Sequence, residues 1–142
     1  LAARELVATL SAITAGFDPV PQPTDGITLA PKLTVDEVRL DWSAPRHAIC
    51  GLVRGANPNP GAWTLFRGER LKILRATSPL EAVPGAAAAA PGTLINTKRE
   101  LLVTCGESSV LRLDQVQPVG KKPMTGADWA RGIRIQAGER FG

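Results

Sequence analysis

Two cysteines, one histidine and no tyrosine occur in 142 residues, and each shortage removes a class of function. Cys50 and Cys105 lie far apart and outside any C-x-x-C pair, so a thiol-based metal or redox centre has no second half. His47 stands three residues before Cys50, a spacing metals use on a helix, yet no second pair completes a tetrahedral set. These residues amount to two reduced thiols and a surface histidine. No run approaches the roughly 18 apolar residues of a membrane span. The segment Leu1 to Ala15 breaks its apolar positions with Arg4 and Glu5, unlike the charged start and unbroken apolar run of a secretion signal. The expectation is a soluble, cytoplasmic protein. Catalytic patterns are absent too: there is no glycine-rich phosphate loop, no G-x-S-x-G elbow and no Ser-His-acid order. Asp41 falls where a helix begins, which suits a structural carboxylate better than an acid-base one.

What the chain does have is proline, glycine and positive charge, unevenly distributed. Residues 1 to 40 hold three Lys/Arg against five Asp/Glu, whereas residues 41 to 142 hold fourteen against eight. The basic excess of +6 therefore belongs to the second part, and a sequence pI near 9.6 makes it a candidate for a polyanion. The length fits one ordinary domain with an appendage, enough for a core without disulfides.

Ala3, Leu6, Val7, Leu10 and Ile13 recur at helical spacing until Gly16 ends the pattern. So short a helix has nothing of its own to pack against, and its apolar face implies a missing partner. "DPVPQPTDGITLAPK" then reads as a stiff extended linker. Residues 1 to 15 are thus expected to be the terminal helix of an upstream domain, 16 to 40 a linker, and 41 to 142 a domain of their own. In "LDWSAPRHAICGLVRGANP", Ser43 suits an N-cap and Pro45 a first turn, so a helix is expected from about Ala44 to Arg54. "VRGANPNPGAWT" follows, and its paired Asn-Pro steps exclude both helix interior and central strand.

Short strand-like segments come next: "AWTLFRG" and "RLKILRA", joined by a turn at Gly68-Glu69, then "GTLINT", "ELLVTCG" and "SVLRLDQVQP". Within "RLKILRA", Leu71 and Ile73 alternate with Lys72 and Leu74, with one blemish. "PGAAAAAPG" is too short between its prolines and glycines to nucleate a helix, and is expected to be a loop. Thr125 with Asp128 three residues on forms a capping-box variant for a helix to about Arg131, stopped by Gly132. An irregular tail follows. The fold class is mainly β with short helices, an OB-like small barrel preceded by a helix and an extended linker.

Lys121 and Lys122 precede the capped helix that carries Arg131, with Arg134 beyond it, and Arg54 ends the first helix of the barrel domain. If the two helices share a side, their positive ends converge on a phosphate track. Trp42, Trp63 and Trp129 sit beside apolar neighbours and are expected in the core or at hinges, not as stacking platforms.

"LAPKLTVDEVRLDWS", "VRGANPNPGAWT", "LKILRA", "PGTL" and "VQPVGKKPMTGADWARG", in this order, resemble the C-terminal part of the methionyl-tRNA formyltransferase family. The resemblance implies an upstream Rossmann-like domain that binds 10-formyltetrahydrofolate and holds an Asn, His, Asp catalytic set. It also implies an OB-like barrel that helps hold initiator methionyl-tRNA in translation initiation. On that reading Lys32, Arg39, Arg54, Lys121, Lys122, Arg131 and Arg134 contact phosphate. The segment itself carries no cofactor, no metal and no catalytic residue, is inactive alone, and belongs to a monomeric enzyme. The family usually places a large aromatic between the two loop prolines and another before the first Asn; here Asn59 and Ala56 stand there, which leaves the loop a shaping role. The alternative is an orienting domain of another 10-formyltetrahydrofolate-using protein, a hydrolase or a sugar-nucleotide formyltransferase, that does not bind RNA. "VQPVGKKPM" resembles the tRNA enzymes more than these relatives.

Overall fold

The computed structural model describes residues 2–18, 20–21, 23–79, 83 and 88–142. It divides into two units, residues 1–31 and 32–142. In the first, α1 (Ala2–Thr14) follows the apolar periodicity. Gly16 (φ +87°) ends it, with the Gly16 amide donating to Ile13 and the Phe17 amide to Ala12. That paired bonding satisfies carbonyls the last turn would otherwise leave open. Leu6, Val7, Leu10 and Ile13 remain between 56 and 65 % exposed. Pro19 of the proline-rich stretch, and residues 84–87 of the alanine loop, lie outside the described residues.

The second unit begins at Lys32, so its core already includes Val38 and Leu40 from the segment the sequence assigns to the linker. After a 3-10 turn (Asp36–Val38) comes α2 (Arg46–Ala56), whose N-cap is Pro45. The expected start at Ala44 with a Ser43 cap is corrected, because Ser43 is occupied elsewhere. Its amide (2.9 Å) and hydroxyl (2.7 Å) both donate to Asp41 Oδ1. Asp41 thus has the structural role expected of it, and the Ser43 bonds hold its carboxyl below the usual range. Ile49, Val53 and Ala56 turn the apolar stripe of α2 into the core.

β1 (Trp63–Phe66) and β2 (Glu69–Thr77) form a hairpin through Arg67 (φ +50°) and Gly68 (φ +81°). Two positive φ values make this the two-residue turn whose twist matches the strands, one residue earlier than the sequence suggested. Arg67 tolerates that conformation with its guanidinium tied to Glu139 at 2.8 and 2.9 Å. The antiparallel sheet continues with β3 (Leu94–Asn96), β4 (Leu101–Thr104), β5 (Val110–Pro118) and β6 (Met124–Thr125), in the order β1-β2-β5-β4-β3 with β6 on β5. The register between β2 and β5 slips from Ile73↔Val116 to Arg75↔Gln115, which is the blemish in the alternation. Gly106 lets the strand ends close against the 43–45 turn: a Cβ there would lie 2.0 Å from the Ser43 carbonyl oxygen.

α3 (Gly126–Ile133) is capped by Thr125, whose hydroxyl accepts from the Asp128 amide. It runs past Gly132, and Arg134 (φ +54°) takes the left-handed C-terminal position instead. The result is a mainly β, OB-like partial barrel with short helices. Its interior holds Ile73, Leu101, Val103, Leu111, Leu113 and Val116, and all three tryptophans are buried, each 6 % exposed. The tail is less irregular than its sequence implies: Phe141 stacks on Trp42 at 5.1 Å and meets Phe66 and Trp129 at about 6 Å.

Candidate nucleic-acid interface

Among the described residues no group of three His, Cys, Asp or Glu can hold a metal. Burial pushes the Cys105 thiol up to about 12 and raises Cys50 as well, so neither is a ready thiolate.

Cations fall into two groups. Arg67, Arg75, Arg112 and Arg131 carry carboxylate partners, from Arg112 with Asp114 at 2.7 Å to Arg75 with Asp114 at 3.9 Å. The remaining Lys and Arg of residues 32–142 form no ion pair among the described residues. Of the cations singled out in the sequence, only Arg131 is paired, through Nη2 to Asp128 Oδ1, on a surface where such pairs contribute little. Lys32, Arg39, Arg54, Lys121, Lys122 and Arg134 are exposed and unpaired there.

Strand pairing brings some of these together. Trp63 pairs with Lys72 and Lys72 with Gln117, so the three side chains share one face of the sheet. Arg70, two residues before Lys72, lies on the same face, while Leu71 and Ile73 point into the core. The Arg70 guanidinium sits 4.1 Å from the Trp63 ring centroid and that of Arg39 5.5 Å from it. Trp63 is fixed in turn by its Nε1–H donating to the Val35 carbonyl at 2.6 Å. At the far side, Gln117 Nε2 donates to the Lys121 carbonyl, tying the 118–121 turn to the same strip. Arg39, Arg70 and Lys72 thus lie around Trp63 on one face of β1 and β2, with the backbone of Lys121 tied to the β5 edge of the same face. The Glu37 carboxylate accepts from the Thr34 amide and hydroxyl at 2.8 Å.

The Asn-Pro loop forms the corner from α2 into this face, with both Asn-Pro peptide bonds cis. Its Gly61 amide returns to the Ala56 carbonyl, and Asn57 Nδ2 donates to Leu74 O. Arg54 stands one turn before Asn57, at the end of α2. Arg131 lies on α3 and Arg134 at its C-cap, and among the described residues no hydrogen bond or ion pair joins either to Arg39, Arg70 or Lys72. Arg70 and Lys72 are the residues sequence reasoning missed. Their signal was the alternation in "RLKILRA", which puts both opposite to Leu71 and Ile73.

Residues 32–134 match the family described as "Formyl transferase, C-terminal domain". A methionyl-tRNA formyltransferase of Streptomyces griseus is 50 % identical over 96 % of this chain and 43 % of its own length. One from Thermobifida fusca is 50 % identical over 87 % of this chain and 38 % of its own length. The chain thus spans less than half the length of these curated relatives. Among solved structures, a variant of HypX from Aquifex aeolicus covers 93 % of the chain with a TM-score of 0.71 at 17 % identity, over 23 % of its own chain. HypX has also been solved in complex with tetrahydrofolic acid; that structure matches 94 % of the chain and 23 % of its own, with a TM-score of 0.65 at 17 % identity.

Proposed function

The chain belongs to the formyl transferase C-terminal domain family, and on that premise we propose that it is the tRNA-holding module of a methionyl-tRNA formyltransferase. That enzyme transfers the formyl group of 10-formyltetrahydrofolate to the amino group of initiator methionyl-tRNA, in the cytoplasm, as a monomer. Residues 1–15 are the last helix of its catalytic domain and 16–31 the tether to the barrel unit, which begins at Lys32. The formyl donor and the reacting groups belong to that upstream domain, and this segment positions the RNA.

One observation carries the reading: the cations without carboxylate partners include a cluster, Arg39, Arg70 and Lys72, gathered about Trp63 beside the 118–121 turn. Side chains of this kind neutralise phosphates and release counterions, giving affinity without sequence preference. Lys32, Arg54, Lys121, Lys122 and Arg134 extend the contact, and Arg131 joins it by exchanging Asp128 for phosphate. The occurrence of the fold in HypX supports a second reading, a domain-orienting module of a folate-using protein that takes no RNA. A gel shift of the chain with initiator tRNA at low and at moderate salt separates the two. Retardation at low salt that weakens at moderate salt is the expected outcome; no retardation at either overturns the tRNA reading in favour of the second.

A further inference from the structure

Where β2 extends past the end of β5, a groove of about 260 Å³ opens on the outer face of the sheet, lined by Arg70, Lys72, Gln117 and residues 118–120. Its lining contains two cations and no carboxylate. Neither cation has an ion-pair partner among the described residues. An exposed Arg or Lys ordinarily samples many rotamers, and ordering it on binding costs affinity. Both are restrained here. The Arg70 guanidinium rests on the Trp63 ring at 4.1 Å, a contact that leaves the N–H edges of the fork free. Lys72 runs along Gly61, where a Cβ would meet its Cδ at 3.3 Å and its Nζ at 3.5 Å.

The opposite wall is fixed as well. Gln117 gives its amide N–H to the Lys121 carbonyl, and the Lys121 amide closes the turn onto the Pro118 carbonyl at 3.1 Å. Gly120 (φ +70°) leaves that wall without a side chain at its tip. A concave site with a bidentate fork, a point cation and a backbone wall fits a tetrahedral oxyanion with two free oxygens.

We infer that the groove between Arg70, Lys72 and the 118–120 turn is a seat for a backbone phosphodiester of the bound RNA, with Trp63 as the positioning residue beneath Arg70. The inference rests on the tRNA reading and deepens it, since it assigns the strongest contact to residues of the β2 strand and not to the helix ends.

The test is the salt dependence of tRNA binding by the full chain and by Arg70→Gln/Lys72→Gln, with Arg70→Lys/Lys72→Arg as the conservative control. Loss of one neutralised phosphate lowers the slope of log K against log salt by about 0.7 to 0.9. The conservative variant keeps the slope, which shows that the Gln variant lost charge and not fold. Trp63→Phe weakens binding a few-fold with the slope intact, because it moves Arg70 without removing its charge. An unchanged slope in the Gln variant, with the unmutated chain still binding steeply, overturns the groove and leaves the tRNA reading standing. Failure of the unmutated chain to bind tRNA at low salt overturns both. A third arm adds inorganic phosphate at constant ionic strength. Tight binding of phosphate that depends on Arg70, together with an unchanged RNA slope, identifies a small-anion site and overturns the RNA assignment.

Discussion

Two helices of this chain carry the same pattern and meet opposite fates. α1 sets Leu6, Leu10 and Ile13 on one face, and α2 sets Ile49, Val53 and Ala56; the first set is more than half exposed and the second no more than 2 % exposed. Helical periodicity therefore states what a helix needs, and the rest of the unit decides whether the need is met. Residues 1–31 offer α1 no core, while residues 32–142 surround α2 with a sheet. A 13-residue helix without packing is marginal in water.

The comparison breaks most visibly by removing one apolar side chain from each helix. Ile49→Ala should cost about 2 to 5 kcal/mol in denaturant unfolding, the range for a buried isoleucine truncated in a closed core. Leu10→Ala should stay within about 0.5 kcal/mol, as exposed substitutions do. Equal losses would show that α1 has a covered face in solution. A smaller effect separates hydroxyls that look alike in sequence. Thr125→Ala removes the N-cap of α3 and should cost about 1 kcal/mol. Thr9→Ala in α1 removes only a bond back to the Glu5 carbonyl and should be neutral or slightly stabilising in the same measurement.

The smallest effect concerns pH and the barrel unit alone. Arg67 and the Gln136 amide hold the Glu139 carboxyl below its ordinary value, and the Thr34 and Ser43 bonds do the same for Glu37 and Asp41. A carboxyl lowered on folding stabilises the fold above its unfolded value and loses that contribution as pH falls through its folded value. Unfolding midpoints should thus fall on acidification below about 4.5, the ordinary value of a glutamate. Glu139→Gln should lower the midpoint at neutral pH and flatten its decline, and an unaltered decline would remove the Arg67 pair from the account.

Much of the fold was legible because it is local. Gly16, the Thr125 cap, the five main strands and the buried tryptophans follow from short patterns whose physics lies within a few residues. The misreadings share a cause: a competitor from slightly farther away. Ser43 fails to cap α2 because Asp41 takes both of its donors. Arg134, not Gly132, ends α3, because its amide reaches the Ala130 and Arg131 carbonyls. The cluster was partly legible. Arg39 stood out by charge, but Arg70 and Lys72 gain their meaning from Trp63 and Gln117, which only strand register brings alongside.

The place of Phe141 also bears on the order in which the molecule comes into being. Its ring closes a stack begun by Trp42, near the other end of the barrel unit. β1 and β2 can pair as soon as both are made, but the other neighbour of β2 is β5, which follows β3 and β4 in the chain, and Trp42 has no stacking partner until residue 141 is added. A chain shortened to end before that residue would expose indole surface that Phe141 covers.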